Sequence, residues 1–254
     1  MSPHFSPDSR RIAFFSSRSG SDEIWMSESD GSQPTQLTNI DRNFLGSPRW
    51  SPSQDSIAFD SMRSGTWNIY VVGTQDRRIR QITADTFANI RPSWSRDGRW
   101  IYFGSNRSGD WQIWKIPAAG GAPIQITRGG GYTAFESPDG RSLYYAKPPG
   151  AEGIWQVPVE GGEEVRLVDH GPNNSWGVTQ RGIALIDPRA RPRARIEFFS
   201  FASRRIVAVR DFPAGVRLAP PSSPHLAVSP DGEWILYVQY DEWGSDIHVL
   251  EGSW

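Results

Sequence analysis

The chain repeats one sequence pattern about every 44 residues, and this repeat constrains the fold more than any other feature. Aligned on a leading Ser or Thr, the six copies start at Ser6, Ser51, Ser95, Ser137, Thr179 and Ser229. Successive copies are 45, 44, 42, 42 and 50 residues apart. A period of about 40–50 residues is the length of a four-stranded propeller blade. The repeat therefore predicts an all-β, six-bladed β-propeller.

The third copy shows how one blade is built. Four segments read as strands A to D, at residues 92–95, 100–105, 111–116 and 124–127. Gly-containing turns separate them, which predicts an up-and-down antiparallel sheet. Strands B and C are apolar on both pleat faces in places, because each blade packs between two neighbours. We predict a single propeller with blades at residues 1–39, 46–84, 90–128, 132–169, 174–210 and 224–254.

Aromatic residues recur with the repeat. We align the strand A aromatics at one position, namely Phe5, Trp50, Trp94, Phe135 and Trp176. Strand B ends in Phe14, Phe59, Phe103, Tyr145 and Tyr237. Strand C carries Trp25, Tyr70, Trp114 and Trp155, and His248 takes that place in the last copy. Residues that repeat in phase are interpreted as packing between blades.

The last blade is predicted to lack its outer strand. In the first copy, strand D begins 13 residues after strand C, and the same step from Ile247 would fall beyond Trp254. An open edge strand invites pairing with another segment. We interpret the chain as part of a longer protein whose upstream segment supplies that strand. The alternative is a three-stranded last blade packed against the first.

The repeat resembles that of the TolB family of WD-repeat-like propellers, through its Ser-Pro-Asp-Gly turn followed by Ile-Ala-Phe and later Ile-Trp or Ile-Tyr. The pattern weakens in copy five, where Arg181-Gly182 shortens the turn. The stretches 136–140 and 245–250 are similar to propellers that follow a winged-helix domain in bacterial regulators. The resemblance implies a scaffold or sensor, a periplasmic or cell-envelope location ahead of a cytoplasmic one, and a peptide accepted at the channel mouth.

Composition excludes several classes. The formal net charge is −1, so no nucleic-acid binding is predicted. The chain has no cysteine, which excludes disulfides and thiolate nucleophiles. No apolar run approaches the roughly 20 residues of a membrane-spanning helix, so no membrane insertion is predicted.

No residue set for catalysis is evident. The four histidines, His4, His170, His225 and His248, are scattered without metal-ligand spacing. The Gly-rich turns lack the following helix and Lys-Ser/Thr of a phosphate loop. We therefore predict a non-enzymatic chain with no cofactor, no metal and no catalytic residue. The alternative is a polysaccharide-active, lyase-like propeller, which would need a metal-binding histidine cluster in its channel.

One polar pattern predicts a binding surface. In a propeller the B–C turns and D–A connectors share one face, here called the B–C face, on which cations and aromatics concentrate. The predicted site comprises Arg18, Arg63, Arg107, Lys147, Trp67, Trp111, Arg42, Phe44, Arg91 and Tyr132. Guanidinium groups pair with carboxylates and Trp supplies contact area, so the predicted partner is a protein or an acidic, extended peptide. The alternative is that each Arg pairs locally and fixes loop shape.

Overall fold

The computed structural model describes residues 2–40, 44–171, 174–187, 189–218, 226–240 and 244–251. Within these ranges the chain forms 23 β-strands and no helix, so the predicted all-β class is confirmed. The described part of the chain accordingly offers no helix of the length and apolarity that a membrane crossing requires.

The strands follow one another blade by blade. Blade one contains β1 to β4, at His4–Phe5, Arg11–Ser16, Glu23–Glu28 and Thr35–Gln36. Blade two contains β5 to β8, at Leu45–Trp50, Ser56–Ser61, Asn68–Gly73 and Ile79–Gln81. Blade three contains β9 to β12, at Asn89–Trp94, Trp100–Ser108, Asp110–Pro117 and Ile124–Gln125.

The second half of the chain continues the pattern. Blade four contains β13 to β16, at Thr133–Glu136, Ser142–Ala146, Ile154–Pro158 and Val165–Val168. Blade five contains β17 to β20, at Trp176–Val178, Gly182–Asp187, Arg195–Ser200 and Arg205–Asp211. Blade six contains β21 to β23, at Leu226–Val228, Trp234–Tyr240 and Ser245–Glu251.

Each blade is an up-and-down antiparallel sheet, and the six blades close into a ring. Strand order within every sheet follows the sequence. The inner strands β1, β5, β9, β13, β17 and β21 each contact the next, and β21 contacts β1. Blade six has three strands among the described residues, which confirms the prediction that its outer strand is missing. Which segment supplies a fourth strand stays a prediction.

The repeated Ser-x-Asp turn explains why β1 and β2 meet tightly. Ser6 donates its hydroxyl to Asp8 at 2.6 Å and accepts the backbone N–H of Arg11 at 2.9 Å. The same arrangement recurs at Ser95, Ser137 and Ser229. Such local side-chain bonds satisfy several of the turn's polar groups within the blade. We call the side of the ring that carries these turns the A–B face.

A buried Thr joins the third and fourth strands of the first three blades. Thr38, Thr83 and Thr127 accept the backbone N–H of Ile24, Ile69 and Ile113 at 2.9, 2.9 and 2.8 Å. Each hydroxyl also donates to the residue before that Ile, which is Glu, Asn or Gln. Satisfying buried polar groups in this way avoids a desolvation penalty of about 1–3 kcal/mol each.

Packing between blades forms the core. One cluster of buried apolar side chains fills each of the six interfaces, including the one that joins blade six to blade one. The aromatics of the second and third strands are cross-strand partners, as in Phe14–Trp25, Phe103–Trp114 and Tyr237–His248. These two sets are therefore in phase, as the repeat predicts.

The inner-strand aromatics are not all in phase, and this part of the sequence interpretation was wrong. Phe5, Trp50 and Trp94 pair with an Ile of the second strand, whereas the corresponding residue is Glu136 in blade four. Phe135 lies one position earlier and Trp176 two positions earlier than the alignment assumed. Because side chains alternate along a strand, these shifts redirect aromatic rings.

Candidate functional site

The central channel is lined by one residue from the equivalent position of every inner strand. These residues, here called the channel ring, lie two positions before the leading Ser or Thr of their copies. They are His4, Arg49, Ser93, Phe135, Gly177 and Ala227. Blades one to three contribute polar side chains to the ring, whereas blades four and six contribute apolar side chains and blade five contributes a glycine. The channel wall is therefore polar on one side and apolar on the other.

A cavity of about 380 Å³ occupies the channel at the level of this ring. Its aromatic walls include Trp50, Trp94 and Trp176. Its rim consists of exposed residues of the A–B turns, namely Pro7, Pro52, Arg96, Gln180 and Pro230. The cavity thus opens on the A–B face, opposite the B–C face on which the sequence analysis placed the binding site.

Arg49 is the cation of the channel ring. Its side chain is 5% exposed, and burial lowers its pKa to about 10. The guanidinium lies 5.3 Å from the centroid of the Phe135 ring, a cation–π distance, and donates to the Pro48 carbonyl at 2.9 Å. Within the described residues its Nε has no hydrogen-bond acceptor. His4 belongs to blade one, opposite Phe135 of blade four. It is kept neutral because burial and the Arg49 charge hold its pKa well below the ordinary value.

Arg91 crosses the channel between the cavity and the B–C face. Its guanidinium donates to the side-chain oxygen of Asn174, so it joins blade three to the start of blade five. The same guanidinium lies 4.5 Å from the ring centroid of Tyr132. Its backbone N–H donates to Asp60 at 2.8 Å. Arg91 is 8% exposed, so this predicted site residue belongs to the channel interior and not to an open surface.

Asp60 is a buried carboxylate whose charge acts on both arginines. One of its oxygens accepts from Arg91, while its Oδ1 has no partner in the described structure. Burial raises its pKa, against the opposing effect of the Arg91 and Arg49 charges. Asp60 is thus a buried carboxylate of weakened acidity that acts on two buried guanidinium groups. A second buried carboxylate, Glu136, lines the cavity.

Three of the four predicted B–C turn cations are packed on aromatic rings of their own blades. Arg18 lies 5.2 Å from the ring of Trp25, Arg107 lies 5.0 Å from Trp114, and the Lys147 ammonium lies 3.7 Å from Trp155. Arg107 also donates to Asp85 at 2.9 Å and to Asn89 at 2.7 Å. Arg63 is exposed, and no side-chain partner for it is found among the described residues. Partner binding by these cations stays a prediction.

The predicted aromatics of this face are distributed unevenly. Phe44 is 68% exposed, and Phe87, which the sequence analysis did not single out, is 44% exposed on the next connector. Trp111 packs edge-on against Tyr132 with 5.2 Å between ring centroids, and Trp67 is half-buried. Arg42 lies outside the described residues. The structure thus joins Trp111, Tyr132 and Arg91 in one stack and leaves Phe44 apart from it.

A second polar cluster lies at the junction of blades four and five. His170 bonds to Asp169 and Glu197, each at 2.7 Å, and Asp187 lies beside them. Burial lowers the pKa of His170, but bonds to the two carboxylates outweigh that effect and raise it overall. His170, Asp187 and Glu197 present ligand atoms within 4.8 Å of one another, a spacing that suits a metal ion. His225 lies outside the described residues.

Two of these features were not visible as sites in the sequence. The channel ring combines six different residue types at one repeat position, so the copies share no motif there. The His170 cluster takes its carboxylates from the following blade. The members of the channel ring could have been identified in the sequence, because each lies two positions before the leading Ser or Thr of its copy.

Comparisons with known proteins agree with this architecture. A family model of the TolB beta propeller domain matches residues 1–186. No curated protein matches the chain in sequence. TolB from Acinetobacter baumannii is similar in structure with a TM-score of 0.80 and 19% identity, over 96% of this chain and 62% of that one. The chain therefore spans about three-fifths of the length of that TolB.

Proteins with other activities share the same fold. An oligogalacturonate lyase from Vibrio parahaemolyticus is similar with a TM-score of 0.67 and 14% identity, over 98% of this chain and 74% of that one. A chain of a nidogen/laminin complex is similar with a TM-score of 0.63 and 11% identity, over 82% of this chain and 78% of that one. At such identities the likeness concerns the fold alone.

Proposed function

Because the chain belongs to the TolB β-propeller family, we propose that it is a non-catalytic module that binds a peptide segment of a protein partner. The observation that carries this proposal is the cavity of about 380 Å³ that opens on the A–B face. Its volume falls in the range of small-ligand pockets, about 300–1,000 Å³, which suits one or two side chains of an extended segment. A folded partner protein would contact the rim of the cavity and place such a segment inside it.

The walls and rim favour a peptide. Trp50, Trp94 and Trp176 provide flat apolar area, which peptide-binding hot spots commonly use. The prolines of the rim have no backbone N–H and fixed φ angles, so they form a rigid edge at low entropic cost. A propeller in a nidogen/laminin complex shares the fold, so propellers of this shape occur in protein–protein complexes.

The competing function is a lyase with a metal site in the channel. A related fold belongs to an oligogalacturonate lyase solved in complex with manganese. Among the described residues that line the cavity, the potential metal ligands are His4 and Glu136. One Glu136 oxygen accepts from Tyr102 at 2.8 Å, and the other accepts the backbone N–H of Arg96. This pair, drawn from blades one and four, favours binding over metal-assisted catalysis.

The proposal is tested by selecting short peptides from a random display library and measuring the affinity of the best synthetic peptide by calorimetry. The double variant Arg96→Glu/Gln180→Glu changes two exposed rim residues and should weaken binding about tenfold or more. Arg141→Glu, an exposed substitution on the same face outside the cavity lining, is the matched control. Selection of no peptide, together with manganese-dependent cleavage of oligogalacturonate, would favour the lyase.

A further inference from the structure

The two halves of the channel ring differ in chemistry, and this asymmetry restricts what the cavity accepts. On one side, His4, Arg49 and Ser93 present polar groups. On the other, Phe135 presents a ring, Ala227 presents a methyl group and Gly177 presents no side chain. An occupant that satisfies both sides needs a polar or charged group adjacent to an apolar one.

The polar half is short of hydrogen-bond acceptors. In the described structure, Arg49 Nε and the Ser93 hydroxyl are buried and have no partner, although both residues line the cavity. The indole N–H groups of Trp50 and Trp176, on the same walls, also lack acceptors there. Unpartnered indoles occur elsewhere in the described structure at Trp25, Trp114 and Trp155, and unpartnered hydroxyls occur at Ser2 and Thr133, so the group that distinguishes the cavity is Arg49 Nε, with the Ser93 hydroxyl on the same wall.

The buried carboxylates near the cavity do not form a hydrogen bond to Arg49 in the described structure. Arg49 and Arg91 are both buried, and Asp60 is the acidic group that acts on both of them. One Asp60 oxygen accepts the Arg91 backbone N–H and the other has no partner among the described residues, but Asp60 does not line the cavity. Glu136 uses its two oxygens on Tyr102 and Arg96, and the Arg49 guanidinium donates to the Pro48 carbonyl. A carboxylate in the cavity would give Arg49 a hydrogen-bonded charged partner, which offsets the cost of burying it.

We propose that the cavity recognises a carboxylate next to an apolar side chain, with the carboxylate bound to Arg49 and Ser93 and the apolar group packed against Phe135, Trp176 and Ala227. This inference rests on the proposed peptide-binding function and names the chemistry of its ligand. The carboxylate comes either from the C-terminus of a peptide or from an acidic side chain. A planar guanidinium suits both, because it forms paired bonds to carboxylate oxygens.

The test compares the affinities of three peptides for the unmodified protein, so its result does not depend on whether a variant folds. The probes are acetyl-Ser-Gly-Leu with a free C-terminus, the same peptide as its C-terminal amide, and acetyl-Ser-Leu-Asp amide. Binding is followed by the indole N–H signals of a ¹⁵N-labelled sample. We expect the free acid or the Asp peptide to bind at least about tenfold more tightly than the neutral amide, since hydrogen bonds between charged groups are stronger than those between neutral groups.

A second arm assigns the effect to Arg49. Arg49→Met should abolish the preference for the carboxylate while retaining weak binding of the apolar peptide, and it should not lower the melting temperature, because it removes a buried cation. Arg49→Lys keeps the charge and loses the paired geometry, so an intermediate preference is expected. A purely structural Arg49 would instead lower the melting temperature and leave the acid-to-amide ratio unchanged.

The outcomes separate the two proposals. Equal affinity of the free acid, the Asp peptide and the neutral amide overturns the carboxylate assignment and leaves peptide binding intact. Binding of trigalacturonate with no binding of any peptide overturns the peptide function, and the cavity would then take a sugar acid. A preference that survives Arg49→Met overturns the role of Arg49. No binding of any probe overturns the carboxylate assignment, and the unpartnered groups would then be satisfied by water alone.

Discussion

Arg91 of blade three donates a hydrogen bond across the channel to the side-chain oxygen of Asn174 at the start of blade five. The two residues are 83 positions apart in sequence, and blade four lies between them. Tyr132, from the connector into blade four, packs under the same guanidinium. The bridge therefore joins three blades on the side of the cavity nearer the B–C face.

Asn174→Ala should destabilise the propeller. The buried guanidinium would lose an acceptor, which costs about 1–3 kcal/mol. The free energy of unfolding in urea measures this loss. Gln75→Ala, at an exposed turn, is the control and should change stability by less than about 0.5 kcal/mol. If both variants unfold at the same urea concentration as the unmodified protein, the bridge does not contribute to stability.

Arg107 and Arg63 should behave differently although they occupy equivalent turns. Arg107→Glu loses its bonds to Asp85 and Asn89 and its stacking on Trp114, so we expect a loss of about 1–3 kcal/mol. Arg63→Glu, at an exposed position, should leave stability unchanged. Thermal unfolding distinguishes them. Salt-dependent weakening of peptide binding by Arg63→Glu would instead favour the B–C face as the partner site.

Stability should fall at acidic pH because of the turn aspartates. A hydrogen bond from Ser95, with the backbone N–H of Arg99, lowers the pKa of Asp97 to about 2. The lowered value means that the stabilisation is present above the unfolded-state pKa of about 3.9 and is lost as pH falls toward 2. Melting temperatures between these pH values measure it. Asp97→Asn should flatten the curve, and an unchanged slope would contradict the assignment.

The hydrogen bonds of His170 should stabilise the fold at acidic pH and not at alkaline pH. The pKa of His170 is raised in the folded protein, so this contribution to the free energy of unfolding is complete below the unfolded-state pKa of about 6.5 and is lost as pH rises through the folded-state pKa. Titration of the His170 ring signals by NMR should give a pKa above the ordinary value. Glu197→Gln removes one of the bonded carboxylates and should lower it. A pKa at or below 6.5 in the unmodified protein would show that burial outweighs the carboxylates.

The blades could be predicted from the sequence because their determinants are local. Ser6, Asp8 and Arg11 form their turn within six residues, and the pairing of Phe103 with Trp114 requires one hairpin. These local patterns recur in successive sequence repeats, so the repeats together support the prediction of a propeller blade. The short last blade followed from the same spacing.

The site could not be predicted in the same way, because its determinants are not local. Phe135 and Trp176 depart from the register of the earlier blades, and a repeat alignment alone placed them one and two positions wrongly. Arg49 meets Phe135 across the channel, and His170 meets Glu197 of the next blade. The sequence of a turn does not show whether its cation is packed or exposed. Arg107 packs on Trp114 and Arg63 is exposed, although their turns have similar sequences.

The location of a bound peptide tests the central claim most directly. In ¹H–¹⁵N spectra, the indole signals of Trp50, Trp94 and Trp176 report on the cavity, whereas those of Trp67 and Trp111 report on the B–C face. On addition of a library-selected peptide, we predict that the three cavity indoles shift and that the two B–C indoles do not. Shifts confined to Trp67 and Trp111 would contradict the claim that the partner enters the cavity from the A–B face.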